Sequence, residues 1–142
     1  MTTPDELRKD RELLTAMKLE VQTNQVALDE LVNWYGVFVF TGGDVPRGRC
    51  SLVATTSYLE RPFATDRIST AEVDRYRRSV QTLMELGQGI AAPRPKTLRC
   101  RHDMGVAFGR VSSEIRALGT ALESALTKLL RKLDASPLPL GV

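Results

Sequence analysis

From Leu7 onward an apolar residue returns at every seventh position, as Leu7, Leu14, Val21, Leu28 and Tyr35. The companion heptad positions, Asp10, Met17, Asn24 and Leu31, are half polar. Ahead of this run stands Thr3-Pro4-Asp5-Glu6, in which Thr3 can cap orphan amides, Pro4 has no N–H to leave unpaired, and Glu6 closes a capping box. No Gly or Pro interrupts residues 5–35. The pattern predicts one helix over about 5–35, roughly 45 Å long.

At Tyr35 the pattern changes. Val37-Phe38-Val39-Phe40-Thr41 is β-branched and aromatic, residues 42–49 are dense in turn formers, and Cys50 to Tyr58 forms a second strand-like run. Together they predict a β-hairpin over about 36–58, anchored by Phe38 and Phe40. A lone hairpin is marginal in water, so it must lie on the helices or extend a sheet in another copy. The alternative for 42–49 is an extended loop serving a contact. Ser69-Thr70-Ala71-Glu72 is a second capping box, and Val73, Tyr76, Val80, Leu83 and Met84 mark one face of a helix over about 70–86, with Gly87 placed to end it.

The last helix is predicted over about 103–133, with the seam Met104, Phe108, Val111, Ile115, Leu118, Leu122, Ala125, Leu126 and Leu129. Gly105, Gly109 and Gly119 each weaken an isolated helix by about 1 kcal/mol, a cost that close approach of another backbone would offset. The apolar tail 136–142, with two prolines, is read as extended, either frayed or a docking arm.

These elements give a mostly helical α+β chain: a single elongated helical domain over 1–135 with a β-hairpin insertion, then the tail. A compact domain of 142 residues is only ~37 Å across, less than either long helix. Two arrangements fit. The first and last helices can pack antiparallel within one chain, or their seams can meet between copies. Length favours the second, which makes Leu7, Leu14, Val21, Leu28, Leu118, Leu122 and Leu129 contacts of a homo-oligomer and lets Asp10 and Asn24 fix register.

Charge adds a second candidate surface. The net charge is +3, but residues 1–35 carry four Lys/Arg against seven Asp/Glu, whereas residues 70–102 carry seven against three. Arg75 and Arg78 share a helix face, and Arg94, Lys96, Arg99 and Arg101 follow in a proline-stiffened stretch. This suits an acidic partner or nucleic-acid phosphate, although stacking aromatics are nearly absent nearby; a plain solvated face is the other reading.

Catalytic chemistry has little to work with. His102 is the one histidine, and Cys50, Cys100 and His102 lack paired metal-ligand spacing. Neither Gly42-Gly43 nor Gly87-Gln88-Gly89 continues into a phosphate-binding loop. No cofactor, metal or small-molecule substrate is implied. The N-terminus is polar and no apolar run reaches membrane-spanning length, so the expectation is a cytoplasmic or virion protein, not secreted through a cleavable signal. A non-enzymatic self-associating assembly protein, such as a viral or phage particle subunit, fits best; a nucleic-acid-coating protein is the alternative, and a helical adaptor or inhibitor a third.

Overall fold

The computed structural model describes residues 3–43, 50–61, 67–91 and 96–135. They form four helices: α1 (Pro4–Thr41), α2 (Val53–Glu60), α3 (Thr70–Ala91) and α4 (Leu98–Ala135). Each 38-residue helix, α1 and α4, runs about 57 Å.

The capping box at Thr3 is formed as its residues suggest: Thr3 Oγ1 accepts from the Glu6 amide at 3.2 Å and Glu6 accepts from the Thr3 amide at 3.3 Å. α1 and α4 then lie antiparallel along their whole lengths. Arg11 meets Asp134 at 2.8 Å, Gln22 donates to Glu123 at 2.9 Å, and the Tyr35 ring stacks on Phe108 with centroids 3.8 Å apart. α3 runs antiparallel to α4, since Arg75 faces Glu114 near one end while Leu86 shares a groove with Cys100 and Met104 near the other. α2 runs back along α1, from Asn24 beside Ser51 to Asp10 beside Arg61.

A single apolar core joins the four elements, drawn from α1 (Leu14, Met17, Val21, Leu28, Leu31), α2 (Tyr58), α3 (Val73, Tyr76, Val80) and α4 (Phe108, Ile115, Leu122, Leu126). The packing is therefore the intrachain one. α4 and the α2–α3 pair cover the stripes of α1 that length alone assigned to a neighbour.

The expected β-hairpin over 36–58 is not formed; no strand occurs among the described residues, which are all-helical apart from their connections. The α+β class is corrected to all-α. Residues 36–41 are the last turns of α1, and 53–58 belong to α2. Phe38 explains the first error, because it stands seven residues beyond Leu31 on the companion seam and is 3% exposed. Burying the Tyr35 and Phe38 rings is worth roughly 4–6 kcal/mol, against roughly 3–4 kcal/mol of lost helix propensity summed over residues 36–41. Gly42 ends the helix instead, in the left-handed region at φ 70°, with its amide donating to Phe38 O at 2.8 Å. The expected hairpin tip at 44–49 lies outside the described residues, as do Arg94 and the tail 136–142.

Other boundaries shift as well. α3 continues through Gly87 to Ala91. α4 begins at Leu98 rather than 103, with Thr97 Oγ1 accepting from the Cys100 amide at 3.1 Å. At two of the glycines side chains, rather than the expected backbone, occupy the space, since a Cβ at Gly105 would lie 2.5 Å from Val39 Cγ2 and one at Gly119 would strike the Gln25 amide group. At Gly109 the neighbouring space is open.

Candidate functional site

Leu14, Val21, Leu28 and Leu122 are buried inside the chain, at 2% exposure or less. Leu118 and Leu129 are half-buried against the same core, and Leu7 is half-buried near the start of α1. All of them but Leu7 belong to, or pack against, the interior core. Of the apolar residues lying off the seams, Leu13 and Leu130 pack on the core, whereas Val32 and Trp34 remain largely in water.

The outward face of α1 carries a different stripe. Leu19 and Val26 are each 62% exposed, Val37 is 50% and Phe40 is 83%. Positions 19, 26, 33 and 40 fall seven apart and read Leu, Val, Asn and Phe. Asp29 and Glu30 flank this series; Asp29 is held sideways by Arg116 of α4 at 2.5 Å. This repeat was visible in the sequence, half a helix turn from the buried seams.

The basic residues do not converge on one face. Arg75 pairs with Glu114 at 3.5 Å, Arg78 pairs with Asp74 at 2.9 Å, and Arg77 also reaches Asp74. Arg101 is half-buried and packs its guanidinium against Gly42 at the C-terminal end of α1, with its Nε buried and without a hydrogen-bond partner. Lys96 is half-buried just before α4, and Arg99 is exposed in its first turn.

The densest polar chemistry lies where α1, α2 and α3 meet. The Glu20 carboxylate, 9% exposed, accepts from the Ala54 amide at 2.9 Å, the Thr55 amide at 3.0 Å, Thr55 Oγ1 at 2.7 Å and Ser51 Oγ at 3.0 Å. One turn later Asn24 accepts from the Ser51 amide at 2.8 Å and donates to Ser51 O at 2.9 Å and Tyr76 Oη at 3.1 Å. At the other end of α2, Arg61 pairs with the fully buried Asp10 at 2.8 Å. The polar seam positions thus fix register within the chain, between α1 and α2.

Burial pushes the Cys50 thiol up, which keeps it protonated at neutral pH, and His102 is exposed in the first turns of α4. Among the described residues no group of three or more His, Cys, Asp or Glu is placed to hold a metal ion, and no helix is long and apolar enough to cross a membrane.

Burial also pushes the Tyr35 and Tyr76 phenols from 10.0 up to about 12, the Asn24 hydrogen bond opposing the shift at Tyr76. The fold therefore favours the neutral phenol, and the unfolded chain ionises first as pH rises. Stability should begin to fall above about pH 9, where the thiol of the unfolded chain ionises first, and fall further between about 10 and 12, by up to about 2–3 kcal/mol for each of the two tyrosines. Tyrosinate absorbance and helical circular dichroism followed together through an alkaline titration check this. Tyrosinate appearing near pH 10 with the helices intact would contradict it.

No protein family, curated protein or solved structure was found to match the chain, so its functional reading rests on its own geometry.

Proposed function

We propose that the chain is a non-enzymatic, self-associating assembly subunit, of a viral or phage particle or another ordered complex, whose copies pair through the outward face of α1. The observation that carries this reading is the exposed stripe Leu19, Val26, Val37 and Phe40. These four residues together leave roughly 500 Å2 in water, spread along about 30 Å of helix. A stable interface takes about 800 Å2 from each partner, and the polar residues beside the stripe, Thr15, Gln22, Thr23 and Asn33, supply the remainder as a rim.

A second copy suits this face because an apolar residue returns near the same side of α1 at 19, 26 and 40, so that two copies can set like residues against each other. An identical α1 brings the same repeat. The core beneath is already filled, so association of this kind adds rods side by side without refolding them.

Sedimentation velocity on the purified, nuclease-treated protein tests the proposal. The expected result is a mass that rises with concentration, and a Val26→Glu, Phe40→Glu double variant that stays monomeric with unchanged helical circular dichroism. Both sites are exposed, so the variant's fold is not at risk. A wild-type chain that remains monomeric into the high-micromolar range overturns the reading. A larger mass present only before nuclease treatment would transfer the assignment to nucleic-acid contact through the Lys96–Arg101 stretch.

A further inference from the structure

α2 is an eight-residue helix that lacks the usual local reasons to exist. Its N-cap, Leu52, makes no side-chain capping bond, its first turn has no acidic residue and its last turn no basic one. Two turns of Val, Ala, Thr, Thr, Ser, Tyr, Leu and Glu are far below the length at which a helix persists alone. The missing cap is supplied from another helix: Glu20 of α1 accepts the Ala54 and Thr55 amides, the donors an N-cap side chain would satisfy, and places a negative charge at the positive end of α2.

The polar tethers between α2 and α1 are concentrated at the two ends of α2. Glu20 and Asn24 grip residues 51–55, and Asp10 grips Arg61. Between them Tyr58 is the large buried apolar side chain, and its hydroxyl donates to Ile68 O at 2.7 Å. Cys50, Leu52, Ala54 and Leu59 add partly buried apolar contact. The α1–α4 seam is much longer, apolar layer after apolar layer. Polar tethers exchange for water on release with little net loss, whereas the apolar seam does not.

We propose that residues 50–61 form a releasable strap: a segment that is helical only while docked, and that leaves α1 as one cooperative unit while the α1–α4 pair stays intact. Release uncovers the half-polar side of α1 around Leu13, Met17 and Asn24. This inference is independent of the self-association reading, since that surface lies on the opposite face of α1.

Native-state hydrogen exchange on the full chain tests it. Amides of 54–60 are expected to exchange at least about 100-fold faster than those of the α4 seam between Phe108 and Leu126. Arg61→Gln, which loosens only the far end, is expected to accelerate the Ala54–Thr56 amides by the same factor as those beside it, roughly tenfold, with α4 unchanged. Glu20→Gln is expected to act in the same way from the near end. If Arg61→Gln speeds only the last turn, α2 frays and is no strap; if the amides of α2 and α4 exchange at one common rate, it is part of the global fold. Either outcome overturns the proposal, and the wild-type comparison decides the second even if a variant fails to fold.

Discussion

Replacing Phe108 by alanine is expected to lower the free energy of unfolding by about 3–5 kcal/mol, the range for deleting a buried phenylalanine. Phe108 is 4% exposed, lies 3.8 Å from the Tyr35 ring at an interplanar angle of 7°, and through Tyr35 reaches Phe38, whose ring stands edge-on at 6.3 Å. These three rings hold the last turns of α1 on the start of α4. The loss is a large share of the 5–15 kcal/mol typical of a whole domain. It has a second readout. Residues 37–41 are β-branched and aromatic and are helical because Tyr35 and Phe38 are buried there, so the variant should lose helical circular dichroism from the end of α1 even below its unfolding transition. Urea denaturation beside Phe40→Ala provides the control: Phe40 is 83% exposed, and its truncation should cost less than about 0.5 kcal/mol. Equal costs for the two variants would mean that the ring stack does not organise this end of the bundle.

Asn24→Leu separates two views of the same heptad position. If the seam of α1 met only apolar residues, leucine there would extend the apolar stripe and stabilise the chain. In the folded chain Asn24 is fully buried and serves the Ser51 amide, the Ser51 carbonyl and the Tyr76 hydroxyl at once. Leucine has about the right size but would leave the buried Tyr76 hydroxyl and the half-buried Ser51 amide and carbonyl without that partner. The expected result is a loss of about 2–4 kcal/mol, because a buried polar group stripped of its bond costs far more than the bond itself contributes. Chemical denaturation with an unchanged m value would show the effect to be one of stability. A gain in stability would mean that the α1–α2 clamp is not formed.

These two sites also mark how far the chain could be read in advance. The helical face of α3 and the long seams of α1 and α4 are periodic over many turns, and periodicity is a local signal that tertiary contacts reinforce. The Thr3 capping box is likewise complete within four residues. At Val37 to Phe40, local propensity and long-range periodicity disagreed, and the periodicity prevailed because each further turn of α1 buries another ring against α4. The continuation of the companion seam from Leu31 to Phe38 and the outward series Leu19, Val26, Phe40 are both present in the letters, but the β-branched and aromatic composition of 37–41 masks the first.

The heptads, caps and helix-compatible spacing were thus set by near neighbours in the chain, since a helix closes its hydrogen bonds within four residues. Which surface each seam would meet was not. An apolar stripe is satisfied equally by α4 of the same chain or by another copy, and nothing local distinguishes the two. α2 is the extreme case: its helical state depends on a carboxylate more than thirty residues earlier, Glu20, brought to the Ala54 and Thr55 amides only when the chain folds back on α1.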